Sequence, residues 1–150
     1  MRIVVDSNIV FSAILNSNSK IAQIILQPKT GFNFYSTNQL IEEIETHREK
    51  IQEISGYSNQ DLQRAISLIT RRIRFINIKL VPLEIYLWAE QLTINVDIDD
   101  TEFVALAEHV KAKLWTGDKR LIKGLKSKKW EKFTTTEELY RLANKRKLRF

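Results

Sequence analysis

The alternation of short apolar strands with amphipathic helices is the feature that most constrains the fold of this chain. Ile3-Val4-Val5 is a continuous β-branched run, which is typical of a parallel strand buried on both faces. The segments Phe32–Ser36, Phe75–Leu80 and Lys113–Thr116 also read as strands, and Phe133 lies in a last short strand. Because helical patterns lie between these strands, the sequence predicts an α/β fold. The expected architecture is a three-layer α/β/α sandwich with a central, mostly parallel sheet.

Apolar residues at helical spacing, together with capping residues, locate the helices. The first predicted helix covers Ser19–Gln27. Thr37 is expected to cap a long helix whose apolar stripe runs from Leu40 through His47 to Ile54, and Gly56 is expected to end it. Further helices are expected to begin at Ser58, at Pro82, at Asp99 as a cap and at Thr135, the last forming a basic C-terminal helix over 136–150.

Length and composition indicate a single domain that spans residues 1–150. The chain has 150 residues, 43% of them apolar, which is enough for one core and rarely enough for two. The absence of cysteine excludes a disulfide framework, a zinc ribbon and thiol catalysis. No apolar run of about 18 residues is present, and the three apolar residues before Asp6 are too few for a signal peptide. We therefore expect a cytoplasmic protein without a membrane partner.

The charge is unevenly distributed along the chain. Residues 111–150 contain 14 Lys and Arg against four acidic residues, a balance of +10, whereas residues 1–110 have a balance of −4. A basic segment on an otherwise acidic chain indicates a polyanionic partner, most simply a nucleic acid. Within it, we predict RNA contacts from the cluster Lys126, Lys128 and Lys129.

Three acidic residues are expected at one edge of the sheet. Asp6 ends the first strand, and Asp118 follows the strand Lys113–Thr116 after one glycine. Asp100 lies in the first turn of a helix, three residues before Phe103, so its side chain should project toward the core. Ligands of parallel sheets bind at the carboxyl ends of the strands, and the three side chains should converge there.

A fourth acidic residue is expected from the helix after the second strand. Glu42, Glu43 and Glu45 are the candidates. On a helical wheel Glu43 lies about 60° from the apolar stripe, whereas Glu42 and Glu45 lie on the solvent side. The pattern favours Glu43, with Glu42 as the alternative.

Four carboxylates at one edge point to a bound cation. Like charges held close together raise each other's pKa, so the four cannot all stay ionised without a counter-charge. Oxygen ligands without His or Cys suit Mg²⁺ or Mn²⁺, which also accept phosphate oxygens. Such ions polarise a scissile phosphate and lower the pKa of an attacking water.

The acidic motifs carry a family resemblance. Asp6-Ser7-Asn8 after an apolar strand, Glu43, Asp100-Thr101-Glu102-Phe103-Val104-Ala105-Leu106-Ala107 and Trp115-Thr116-Gly117-Asp118 resemble the four acidic motifs of PIN-domain nucleases. The resemblance covers about residues 1–135, and a small lone domain of this kind is most similar to the VapC-type toxins of toxin–antitoxin pairs.

The resemblance implies a Mg²⁺- or Mn²⁺-dependent endoribonuclease, a homodimer restrained by an antitoxin. It implies that Asp6, Glu43, Asp100 and Asp118 are the catalytic metal ligands. Ser7, Asn8 and Thr116 would support them, a hydroxyl from Ser7 or Thr116 orienting an acid or a bound water. Some relatives have a further acid shortly after the fourth, where this chain has Lys119, Arg120 and Lys123, so the resemblance leaves open whether one or two ions bind.

Two other functions compete with this hypothesis. A catalytically silent RNA-binding domain would keep the fold and the basic surface, but it would gain nothing from a carboxylate cluster that faces phosphates. A phosphatase of the haloacid dehalogenase type needs a second Asp two residues after the first, where this chain has Asn8. We interpret His47 as a core or interface histidine, and Trp130 as either a base-stacking residue or a cover for the sheet edge.

Overall fold

A computed structural model describes residues 1–147 of the chain. The strands are β1 Arg2–Val5, β2 Asn33–Thr37, β3 Ile73–Ile76, β4 Lys113–Trp115 and β5 Phe133–Thr134. The helices are α1 Ser7–Leu15, α2 Lys20–Leu26, α3 Asn38–Thr46, α4 Arg48–Ser55, α5 Asn59–Thr70, α6 Leu83–Thr93, α7 Thr101–His109, α8 Lys119–Ser127 and α9 Thr136–Lys147. The strands form one sheet in the order β3-β2-β1-β4-β5, and every neighbouring pair is parallel.

Alternate residues of the strands enter two hydrophobic cores, one on each face of the sheet. Ile3 and Val5 of β1 pack in the core that also contains residues of α1 to α5. Val4 points to the opposite face and packs with residues of α6, α7 and α8. This arrangement confirms the predicted three-layer sandwich. Within residues 1–147 no single helix is long and apolar enough to cross a bilayer, and α1 with α2 meets those criteria only as a pair bent by 99°.

The connections bring several helix starts to one edge of the sheet. Helices α1 and α3 begin directly after β1 and β2, and α8 begins four residues after β4 ends. Because these strands run parallel, their carboxyl ends lie at the same edge, as the sequence predicts. The side chains of Asp6 and Asp118, which cap α1 and α8, are therefore brought together. The predicted cap of α3 is wrong, because the Thr37 side chain makes no capping hydrogen bond.

The single helix predicted from Thr37 to Ile54 is wrong. It is divided into α3 and α4 at His47, whose backbone lies at φ −100° and ψ 12°. The amide of His47 still donates to the Glu43 carbonyl at 3.0 Å, and the chain then turns so that Ile51 packs in the core. The predicted stripe is interrupted, because Ile54 is 64% exposed and His47 is exposed as well. The interpretation of His47 as a core residue is therefore wrong, while its place in a subunit interface stays a prediction.

Other boundaries differ by a few residues. The strand predicted at Phe75–Leu80 begins at Ile73 and ends at Ile76, because the Asn77 side chain caps a 3-10 turn over Ile78–Leu80. The capping side chains of Ser58 and Thr135 are confirmed by hydrogen bonds of 3.1 and 3.2 Å. The C-terminal helix is described as far as Lys147, and the last part of the predicted 136–150 segment lies outside the described residues.

Candidate functional site

Carboxylates from four parts of the chain line a cavity at the carboxyl edge of the sheet. Its volume is about 450 Å³, and six of its lining residues are acidic: Asp6, Glu43, Asp97, Asp99, Asp100 and Asp118. Ser7, Asn8 and His47 line the same cavity. All four predicted acids are therefore brought together, with two more that the sequence analysis did not assign to the site.

Asp6 is the most deeply buried of these acids. Its side chain is the N-cap of α1 and accepts a hydrogen bond from the Ile9 amide at 3.0 Å, and the residue is only 4% exposed. Burial raises the pKa of Asp6, and the charges of Asp118 and Glu43 raise it further, while the Thr116 hydroxyl and the Ile9 amide act in the opposite direction. The cap fixes this carboxylate at the floor of the cavity.

Asp118 is positioned by the start of α8. Its Oδ1 atom accepts hydrogen bonds from the amides of Arg120 and Leu121 at 3.0 and 3.1 Å. Its own amide donates to the hydroxyl of Thr116, a buried residue, at 3.1 Å. A carboxylate has two oxygens and about four acceptor positions, so this capping leaves Asp118 able to bind a cation.

Asp97, Asp100 and Asp118 form the tightest acidic group. Each offers one carboxylate oxygen, and the three oxygens lie within 4.8 Å of one another. Burial raises the pKa of Asp100 to about 7, and the charges of Asp97, Asp6, Asp118 and Asp99 add to this shift. The group thus carries uncompensated negative charge in a partly buried position.

Asp97 is the functional candidate that the sequence analysis missed. Asp99 was expected to cap the following helix, but it does not: the Asp97 side chain instead accepts from the Asp99 amide at 3.0 Å and caps a 3-10 turn over Ile98–Asp100. Residues three apart lie on the same side of such a turn, which brings Asp97 next to Asp100. The dense acidic run Asp97-Ile98-Asp99-Asp100 is the sequence signal from which Asp97 could have been found.

Glu43 lies on the cavity side of α3. It is half-buried and its Oε1 accepts from the Gln39 amide group at 2.8 Å, whereas Glu42 and Glu45 are exposed. Glu43 lines the cavity and Glu42 does not. Among the described residues, however, Glu43 is not part of the group of three with oxygens within 4.8 Å, so its role as a ligand stays a prediction.

The basic and aromatic candidates lie away from the cavity. Lys126 and Lys129 are exposed, while the Lys128 ammonium donates to the carbonyls of Leu92 and Gln91 at 2.8 and 3.3 Å. Trp130 is 5% exposed, its ring stands edge-on to Phe133 at 4.9 Å, and its Nε1 donates to Glu108. The base-stacking alternative for Trp130 is therefore wrong, because no face of the ring is open to a base.

The donor set fits a hard divalent cation. Every acidic candidate offers oxygen, and ligands of one octahedral ion at about 2.1 Å lie about 3–4 Å apart. The three oxygens of Asp97, Asp100 and Asp118 lie within 4.8 Å of one another, which is close enough for one ion to bind all three. A cation would also offset the repulsion that raises the pKa of Asp100.

Comparison with known proteins gives a family and a fold. The model of the family described as PIN domain matches residues 4–139. VapBC2 from Rickettsia felis, solved bound to a DNA fragment from its promoter, has a similar fold with a TM-score of 0.64 at 14% identity, over 90% of this chain and 97% of that one. PAE2754 from Pyrobaculum aerophilum has a TM-score of 0.63 at 18% identity, over 96% and 90% of the two chains. No curated protein matches the sequence.

Proposed function

This chain belongs to the PIN domain family, and from that premise we propose that it is a Mg²⁺- or Mn²⁺-dependent endoribonuclease that hydrolyses RNA phosphodiester bonds. The observation that carries the proposal is the acidic cavity, where Asp97, Asp100 and Asp118 bring three carboxylate oxygens within 4.8 Å of one another. A surface with that charge repels RNA unless cations bind first. Such an arrangement suits catalysis on phosphates better than simple binding.

The ligands in this proposal are Asp6, Asp100 and Asp118, together with Glu43 and the newly located Asp97. A bound divalent ion supplies charge that stabilises the phosphate and lowers the pKa of a water nucleophile. Asp6 and Asp118 are held in place by their capping hydrogen bonds, so little reorganisation accompanies binding. Thr116 orients both of them, because its hydroxyl accepts from the Asp118 amide and lies beside Asp6. Ser7 and Asn8 line the same cavity as supporting residues.

We extend the proposal to the biological role. The similar fold of VapBC2 and the resemblance of the motifs to VapC-type toxins support a toxin of a toxin–antitoxin pair, with an antitoxin protein as partner. A homodimeric state and a cytoplasmic location are part of the same proposal. Expression of the wild-type chain alone should then arrest bacterial growth, and expression of Asp118→Asn should not. Growth arrest of equal strength with both would contradict this role.

The direct test is metal-dependent cleavage of RNA. Wild-type protein should cut an RNA substrate with Mg²⁺ or Mn²⁺ and not with EDTA. Asp118→Asn should lose cleavage while retaining its fold, because Asn is an equally good N-cap and only the charge is removed. Asp61→Asn makes the same change at an exposed position in the first turn of α5 and is the matched control. Wild-type protein that binds RNA without cutting it under any of these conditions would favour the silent RNA-binding domain.

A further inference from the structure

A second, basic groove adjoins the acidic cavity. It has a volume of about 490 Å³ and a largely apolar surface formed by Asn95, Val96, Gly124 and Ser127 together with the stems of Lys119, Arg120 and Lys123 of α8, which supply its positive charge. Among the residues that the structure describes, the ion pairs within 4.0 Å are Arg48–Glu45, Lys113–Glu138 and Lys132–Glu108. The three groove cations take part in none of these pairs, so their charge can act on a ligand.

Helix stability does not explain these cations. Lys119 and Arg120 occupy the first turn of α8, where the helix dipole favours negative charge and disfavours positive charge. Their position costs the helix some stability, so the helix dipole does not account for them. Removing these charges should leave the melting temperature unchanged or raise it.

The groove and the acidic cavity are joined through neighbouring residues. Asp97 and Asp118 line the cavity, and the residues next to them in the chain, Val96 and Lys119, line the groove. Close packing holds the two walls together: a Cβ atom on Gly124 would lie 2.7 Å from Cγ2 of Val96. The two surfaces therefore meet at these two peptide bonds, an arrangement that suits consecutive phosphates of one strand.

We propose that this basic groove binds the RNA backbone on one side of the scissile phosphate, with Lys119, Arg120 and Lys123 as the residues that contact phosphate. The inference rests on the proposed ribonuclease function, because it places the cut at the adjoining cavity. An acidic peptide fits this position less well, since its carboxylates would lie beside Asp97 and Asp118. An RNA backbone fits both surfaces, because the groove side chains would neutralise several phosphates and the metal ions of the cavity would neutralise the scissile one.

Salt dependence of RNA binding tests the groove directly. Affinity for a single-stranded RNA oligonucleotide is measured in EDTA, where no cleavage occurs, over a range of KCl concentrations. For a single strand, log K decreases as log salt increases, and the magnitude of this slope decreases by about 0.7 for each phosphate that the protein no longer neutralises. The variant Lys119→Gln/Arg120→Gln/Lys123→Gln should therefore have a slope shallower than that of the wild type by about 2, and it should bind RNA more weakly at low salt.

Two controls separate the groove from net charge. The variant Arg64→Gln/Lys111→Gln/Arg141→Gln removes three exposed cations that lie outside the groove and should leave the slope nearly unchanged. Lys126→Gln/Lys129→Gln tests in the same assay the cluster predicted from sequence. Replacing Lys119 and Lys123 by Arg should preserve the slope, because the charge is kept.

The outcomes distinguish this inference from the proposed function. The inference is overturned if the salt slope of the groove variant equals that of the wild type or is no shallower than that of the Arg64→Gln/Lys111→Gln/Arg141→Gln control. This holds even where the wild type cleaves RNA. A lower slope in a protein that never cuts RNA supports the groove and contradicts the ribonuclease. If the wild type binds a polyglutamate peptide and the groove variant does not, while both bind RNA equally well, the groove is a peptide site and the inference is overturned. A wild-type chain that binds no RNA in EDTA overturns the inference, while the ribonuclease is decided separately by cleavage with Mg²⁺ or Mn²⁺.

Discussion

Replacing Asp100 by Asn should stabilise the metal-free protein above neutral pH. Burial and then the charges of Asp97 and Asp6 raise the pKa of Asp100 from its ordinary value of 3.8 to about 7. Since one pKa unit corresponds to about 1.4 kcal/mol, ionising Asp100 in the folded chain would cost at most about 4 kcal/mol. Solvent screening at this partly exposed position reduces the cost to about 2 kcal/mol. Asn is similar in size and uncharged, so the variant avoids this cost.

The pH dependence has a definite sign. Because the pKa of Asp100 is raised in the folded state, the folded chain holds a proton that the unfolded chain loses between pH 3.8 and about 7. Stability of the wild type therefore falls as pH rises through this window. The advantage of Asp100→Asn should be close to zero below the lower limit and reach its full size above the upper one.

Thermal unfolding in EDTA over this pH range measures the effect. A gain of about 2 kcal/mol corresponds to about 4–8 °C for a chain of this size. Asp99→Asn removes the same charge from an exposed neighbour and should give a smaller gain. Saturating Mn²⁺ should reverse the order, because a ligand of the folded state stabilises the wild type by mass action. A wild-type stability that stays flat across the window, or equal gains for both variants, would refute the reasoning.

Three further predictions concern other parts of the structure. Glu43→Gln should lower metal-dependent RNA cleavage and Glu42→Gln should not, and equal effects in a cleavage assay would contradict the placement of Glu43 in the cavity. Gly124→Ala should lower the melting temperature, at a cost of about 1–3 kcal/mol, and weaken Mn²⁺ binding in a titration, because its methyl group would displace Val96 beside Asp97. Trp130→Ala should cost about 3–5 kcal/mol in denaturant unfolding while leaving RNA affinity unchanged, since the ring is buried.

Local patterns were sufficient for most of the fold. The run Ile3-Val4-Val5 predicts a buried parallel strand because all three side chains must leave water, and both faces of β1 are indeed covered. The caps at Ser58 and Thr135 depend on hydrogen bonds three residues away, which sequence spacing describes well. The convergence of Asp6, Asp100 and Asp118 followed from topology, since parallel strands end at one edge.

Features that depend on tertiary packing could not be predicted in this way. The apolar spacing continues through His47, so nothing local distinguishes one bent pair of helices from a single straight helix. Asp97 was missed because Asp99 satisfies the same capping rule, whereas in the structure the Asp97 carboxylate accepts from the Asp99 amide and caps a 3-10 turn. The groove beside α8 depends on the approach of Gly124 to Val96, which are far apart in sequence.

In the proposed ribonuclease, the adjacent acidic and basic surfaces have different roles. Carboxylates such as Asp97 and Asp118 repel a phosphate, whereas Lys119 and its neighbours attract one at any metal concentration. If the groove supplies the attraction, RNA affinity should change little when the metal is removed, while cleavage disappears completely. If the ions in the cavity supply it, affinity and cleavage should fall together as EDTA is added. The chain brings the two surfaces together at the bonds Val96–Asp97 and Asp118–Lys119, which in the proposed ribonuclease would bring a phosphate of the strand held by the cations to the carboxylates.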